Sequence, residues 1–336
     1  MKRTLATLLI LMLPAISTVA QISRPSSSDV IKILKAEDSR RYDKTLEDLM
    51  KYPDSDVRAR AALAAGRIGD AAAIPALLPL LEKGTAKERE MAAFALGEIE
   101  SIKAADAILN ALVQTGAEMN LPSIRARLVE AAGKIAAANA KEEKAKQLGH
   151  VIVQVLDAEA KKGPTQNRDV VLLAITAVLR TRPEGGDAAT AKFLTSADPR
   201  VRADAANTLS RLRAKNATAA LRSMLTNDHD PVARANAARA LGSADDAEAF
   251  AILVNAAAND ADSRVRVSAI RSLGSLKNAK ASDPLLDRAE RLLQDYAKSK
   301  LPHPTEASEL IEISSALGRL LPDTRNERAV NFLRDF

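Results

Sequence analysis

Two aspartate pairs, Asp228-x-Asp230 and Asp260-x-Asp262, come nearest to a reactive arrangement in this 336-residue chain. Oxygen ligands at alternate positions begin a calcium loop, but such a loop also needs an internal glycine and a closing glutamate. Both pairs lack them, which leaves helix capping, the acceptance of first-turn backbone N–H groups by a carboxylate. His150, His229 and His303 lie far apart, and none has a carboxylate or nucleophile at motif spacing, so they read as surface or turn residues. The absence of cysteine excludes disulfides, thiolate zinc sites, a cysteine nucleophile and a lipid-modified N-terminal cysteine. No glycine-rich phosphate loop is present, and Gly274-Ser275-Leu276 lacks the second glycine of a nucleophile elbow. Asn216-Ala-Thr218 matches a glycosylation sequon at an expected helix turn. Residues 1–336 are therefore expected to carry no catalytic, metal or cofactor site.

What recurs instead is arginine. Arg202, Arg234 and Arg266 are each 32 residues apart, as are Asp198, Asp230 and Asp262, and earlier copies of the same stretch carry Arg58, Arg89 and Arg125. A fixed period of this size means stacked supersecondary units. The chain is rich in Ala, Leu, Ile and Val but only 2% aromatic, so the unit is helical and packed on small side chains. At 100° per residue, Ala205, Ala206, Leu209 and Leu212 fall within about 80° of Arg202, so the arginine borders the buried stripe. The six arginines are expected to form a structural ladder, bonding aspartates or backbone carbonyls of adjacent repeats. Arg222 is expected to be an exposed counterpart. Paired alanines and Gly66, Gly97, Gly133, Gly242 and Gly274 would let neighbouring helices approach closely.

Taken in order, residues 1–20 read as a signal peptide, with Lys2-Arg3, an apolar run over Leu5–Leu13 and a Thr18-Val19-Ala20 cleavage site before Gln21. Residues 21–50 are a lead-in and capping helices, the first capped by Ser28 or Asp29 and the second by Asp38 or Ser39. Residues 51–336 form the repeat array. Its first partner helix is expected from Ala72, its fourth repeat over Val170–Leu179 is degenerate, and Asp283 caps a late partner helix before Pro284. Lys298–Pro304 is a linker. Glu327–Phe336 begins a helix and ends without a polar cap, so the native chain is expected to continue.

The recurring Asp-Pro-x-Val-Arg-x-x-Ala-Ala-x-x-Leu-Gly, with Ile-Pro-x-Leu-x-x-Leu-Leu on a partner helix, resembles HEAT repeats of the bacterial type from about Asp54 to Leu293. The resemblance implies an all-α, right-handed α-solenoid of about seven to eight helical hairpins, its Val-Arg helices on the concave face. The stretches Ile33–Asp43, Gly66–Asp70 and Arg89–Ile99 resemble the start of secreted bacterial HEAT proteins. Some of those carry a cyclophilin-type prolyl isomerase domain after the repeats. HEAT-like bilin lyase subunits are a second relative, which an export signal fits poorly.

The expected function is a non-catalytic, exported (periplasmic or secreted) scaffold that binds a protein or peptide. The alternative is the substrate-holding arm of a longer isomerase whose catalytic domain lies beyond residue 336. A net charge of +6, interleaved with acids, and few aromatics argue against nucleic acid, and no membrane span is expected once the signal is cleaved. Positions two, five and nine after each signature arginine fall at about 200°, 140° and 180°, opposite the core. They supply the candidate partner-binding face: Arg60, Leu63, Arg67, Met91, Phe94 and Glu98, then Arg211, Arg239 and Arg271 among Asn207, Asn236, Ser268 and Ser275. An apolar patch leading into a basic track would anchor a segment and set its direction. The competing expectation is that helices of residues 29–50 cover Leu63, Met91 and Phe94.

Overall fold

The computed structural model describes residues 27–114, 121–299, 307–322 and 324–335. The signal peptide expected over 1–20, the start of the lead-in, and Pro302, His303 and Pro304 lie outside them. The described residues form helices paired in successive hairpins. The first helices of the pairs are α1 (Ser27–Asp38), α3 (Ser55–Ile68), α5 (Ala86–Ile99), α7 (Pro122–Ala138), α9 (Arg168–Thr181), α11 (Pro199–Leu212), α13 (Pro231–Ser243), α15 (Ser263–Leu276) and α17 (Ala307–Leu320). The second helices are α2 (Lys44–Leu49), α4 (Ile74–Lys83), α6 (Ala105–Val113), α8 (Glu143–Lys161), α10 (Gly186–Ala191), α12 (Thr218–Asn227), α14 (Phe250–Asn259), α16 (Ser282–Ser299) and α18 (Glu327–Asp335). The result is an all-α solenoid.

Capping chemistry sets most of the boundaries. Asp54, Asp198, Asp230 and Asp262 each precede a first helix and accept first-turn N–H bonds. Pro199 and Pro231 follow two of them at the position where a missing N–H costs nothing. Thr85 and Glu88 complete a reciprocal capping box at the start of α5.

Four boundaries differ from expectation, the first being that Ser28 and Asp29, expected to cap α1, lie inside it. Asp38 is the last residue of α1, so neither it nor Ser39 starts the next helix; Asp43 does, accepting from Thr45 N at 3.0 Å. A turn of 3-10 helix over Ala71–Ala73 precedes α4, which begins at Ile74 instead of Ala72. The same turn over Ala279–Ala281 puts Asp283 inside α16, and Asn278 caps the turn instead, accepting from Lys280 N at 3.1 Å. A tight reversal between antiparallel helices selects the narrower 3-10 winding.

The first helices pack on one another along the whole array, whereas successive second helices touch sparingly. Small residues make the seam possible. A Cβ added at Gly66 would lie 2.5 Å from Ala95 Cα, and one at Gly242 2.8 Å from Ser272 Cα. Gly97, Gly133 and Gly274 meet the next repeat in the same way. Units that are closer on one side than the other must curve toward the closer side, so the first helices line the concave face. Behind the seam one core runs from Ile33 to Phe332, built mainly of buried Ala, Leu, Ile and Val.

Candidate functional site

The signature arginines tie three pieces of chain together. Arg202 donates from Nε and Nη2 to Asp228 at 2.7 and 2.8 Å, and from Nη1 to the carbonyls of Ser196 and Ala197 at 2.8 and 3.2 Å. Arg234 repeats this on Asp260, at 2.9 Å twice, and on the carbonyls of Asp228 and His229 at 2.8 and 3.2 Å. Arg266 holds the Asp260 and Ala261 carbonyls at 2.8 and 3.0 Å and reaches Glu309 at 2.7 Å. Arg58 binds the Tyr52 and Pro53 carbonyls and pairs with Glu88. Arg89 and Arg125 reach the Gly84 and Leu112 carbonyls at 2.7 and 3.4 Å. In the four full cases the fork grips the turn before its own helix with one edge and a carboxylate farther along the array with the other.

The aspartate pairs divide the labour. Asp230 and Asp262 cap helices, accepting from Ala233 N and Arg264 N at 2.9 Å. Asp228 and Asp260 face the arginines and also accept from the backbone N–H of Asp230 and Asp262 at 2.9 Å. Burial alone would raise the Asp228 and Asp260 pKa values, but these hydrogen bonds outweigh it and hold both below the usual aspartate range. Arg222 is not the exposed counterpart expected: Nη1 donates to both oxygens of Asp246 at 2.9 and 2.8 Å, and Nη2 pairs with Glu248 at 2.8 Å. The 32-residue count that located the ladder follows the first helices, whereas Arg222 lies on the second helix α12.

The candidate face divides into two halves of different character. In the N-terminal half Arg60 and Arg67 both bind Glu37 of α1, Arg67 at 2.8 Å. Burial pushes the Glu37 carboxyl up, yet the two guanidiniums overcome this and hold it below the usual range. Met91 is half-buried against the core, and Leu63 is also half-buried. Phe94 lies beneath two cations of α7, with Arg127 Cζ 5.4 Å and Lys134 Nζ 5.5 Å from its ring centroid. Lys134 in turn pairs with Glu98 and Glu130 at 2.5 and 2.8 Å, and Arg127 with Glu130 at 2.8 Å. The three apolar side chains therefore form no open patch, and Phe94 is overlain from the following repeat instead of by residues 29–50. Counting two, five and nine from Arg125 lands on Arg127, Glu130 and Lys134, so the same arithmetic finds these residues, which the sequence reading passed over. Glu37, outside the repeat register, had no such signal.

In the C-terminal half Arg180, Arg211 and Arg239 are exposed, and none has a carboxylate within ion-pairing distance among the described residues. Arg239 donates to the side chain of Asn236. Arg271 pairs with Glu312 at 2.6 Å. Asn236 and Ser268 are buried, and Asn236 donates to the Ala203 carbonyl at 2.8 Å, so neither belongs to the open track. Among the described residues no three His, Cys, Asp or Glu side chains are placed to hold a metal, and no helix is long and apolar enough to cross a membrane.

The family described as HEAT repeats matches residues 28–97, 164–242 and 218–299, more than half of the chain, and that described as PBS lyase HEAT-like repeat matches residues 88–114. No curated protein matches the chain. Among solved structures, the X-ray structure of YibA from Escherichia coli is similar with a TM-score of 0.56 at 17% identity, covering 89% of this chain and 99% of that one. An engineered protein gives 0.49 at 21% identity over 94% and 91%. The complex of CpcE and CpcF of phycocyanin lyase from a Nostoc species gives 0.42 at 16% identity over 88% and 94%. Likeness at these identities concerns the fold alone.

Proposed function

The chain belongs to the HEAT-repeat family, and on that premise we propose that it is a non-catalytic scaffold holding a protein or peptide segment along its concave face. One observation carries this reading. The ladder arginines are engaged in joining the repeats, while Arg180, Arg211 and Arg239, one on each of α9, α11 and α13, stand exposed with no carboxylate partner among the described residues. Cations that no acid among the described residues balances, repeated on the face where successive units are closest, suit an elongated partner better than a small enclosed substrate. The leader over Met1–Ala20 supports export, placing the scaffold in the periplasm or outside the cell with Gln21 as its first residue.

The test is site-specific photo-crosslinking in the producing cell. A photoreactive residue at Thr176 or Ser275, both exposed on first helices, is expected to give protein adducts; one at Ala220 or Asn255, exposed on second helices, is expected to give none. Equal adducts from both sets, or no protein adduct from the first, would refute the reading.

A further inference from the structure

The two halves of the concave row differ in how their charge is balanced. From α1 to α7 each cation faces an acid: Arg60 and Arg67 share Glu37, and Lys134 lies between Glu98 and Glu130. From α9 to α13 the row carries one acid, Asp204 on α11, which is taken up by Arg200 at 2.8 Å, and Arg180, Arg211 and Arg239 have no acid partner among the described residues. A cleft of about 340 Å³ opens where this run ends, between α11, α13 and α15, lined by Arg213, Arg239, Arg271, Asp245, Ser210 and Ser275 among others.

Resting on the reading that the concave face holds a protein segment, we propose that this segment is acidic and that its carboxylates seat along Arg180 and Arg211 and in the cleft formed by Arg213, Arg239 and Arg271.

Three features support this. Arg239 and Arg271 line one cleft and no carboxylate among the described residues pairs with Arg239, whose pKa burial and the Arg271 charge both push down. Arg271 engages Glu312 through Nη2, leaving the rest of its fork toward the cleft. Arg213 is the C-cap of α11 and exposed, which sets its side chain at the rim of the cleft.

Two features oppose an anion and are outweighed. Asp245 lines the cleft, and the C-terminal carbonyls of the three helices carry partial negative charge. Several of those carbonyls are already occupied, those of Arg239 and Ala240 by the Ser243 hydroxyl and that of Arg271 by Ser275. Three guanidiniums then stand against two carboxylates, Asp245 in the cleft and Glu312 on Arg271, so the balance stays positive. No aromatic side chain lines the cleft for bases to stack on, which favours a peptide over single-stranded nucleic acid. Packed helices lie about 8–10 Å apart, and three residues of extended chain span about 10 Å, so one acidic residue in every three matches one arginine per repeat.

The experiment titrates a labelled (Glu-Ser-Gly)4 peptide into the full chain, with (Lys-Ser-Gly)4 and inorganic phosphate as separate probes. The acidic peptide is expected to bind, at least tenfold more weakly to Arg239→Gln and Arg211→Gln, while the basic peptide does not bind. Both variants are checked for native melting curves; Arg211 is exposed, so its substitution leaves a folded test if Arg239→Gln does not. No binding of the acidic peptide, binding unchanged in a folded variant, or equal saturation by phosphate alone would overturn the proposal. If adducts at Thr176 persist while the acidic peptide fails, the concave-face reading survives and this one falls; if both fail, both fall.

Discussion

Arg234→Ala probes the ladder where its geometry is most complete. The substitution removes two charged hydrogen bonds to Asp260, at 2.9 Å each, and two to the Asp228 and His229 carbonyls. Asp260 is then left with the backbone N–H of Asp262 as its donor. Hydrogen bonds to charged groups contribute about 1.5–3 kcal/mol each, and orphaning one member of a fully buried pair costs about 3–5 kcal/mol. The Arg234 and Asp260 side chains retain 16% and 11% exposure, so water recovers part of the loss. A surface pair is worth about 0–1 kcal/mol, which places Arg234→Ala between the limits at about 2–3 kcal/mol. Arg291, exposed on α16 with no side-chain hydrogen bond among the described residues, should cost under about 0.5 kcal/mol as Ala. The assay is urea unfolding followed by circular dichroism, with hydrogen exchange over α13 and α15 to place the lost protection, since each repeat depends on its neighbours. Adding Asp260→Ala should cost less than the sum of the single changes by about 1 kcal/mol or more. Strict additivity, or equal effects of Arg234→Ala and Arg291→Ala, would refute the reasoning.

The seam predicts opposite signs for two glycines. Gly242→Ala drives a Cβ to 2.5 Å from Ser272 Cβ and should destabilise by about 1–3 kcal/mol, whereas Gly318→Ala, with nothing within 4 Å in the last turn of α17, should stabilise by about 0.5 kcal/mol. Thermal melts that reverse or equalise the two would show the seam to be looser than described. Acid should weaken the array because Asp228, Asp260, Glu37 and Glu130 are all held below their ordinary values of 3.8 and 4.5. A group with a depressed folded pKa contributes fully above its unfolded pKa and loses that contribution as pH falls through the folded one. The melting temperature should therefore drop below about pH 4.5 for this reason, and a constant value down to about pH 3 would contradict it.

The repeat, its helical character and its caps were legible from residues alone. A 32-residue period, aspartates ahead of each Val-Arg stretch, and Ala or Gly at fixed offsets are local facts, because caps and helical faces depend on neighbours within one or two turns. The side of the helix on which Arg202 and its equivalents lie is local in the same sense. Which acid answers each arginine is not: Arg202 and Arg234 use aspartates 26 residues on, but Arg58 uses Glu88, 30 on, and Arg266 uses Glu309, 43 on, across a longer connection. Those choices depend on how one hairpin is staggered against the next. Asn236 and Ser268 make the same point, since their helical angle opposes the core yet they are buried by a neighbouring first helix drawn close along the seam. Phe94 faces outward on its own helix and is overlain only because Arg127 and Lys134 arrive from α7. A helical angle reports direction relative to one helix, whereas burial and charge balance depend on what the adjacent repeat brings to that direction. Only the packed array decides that.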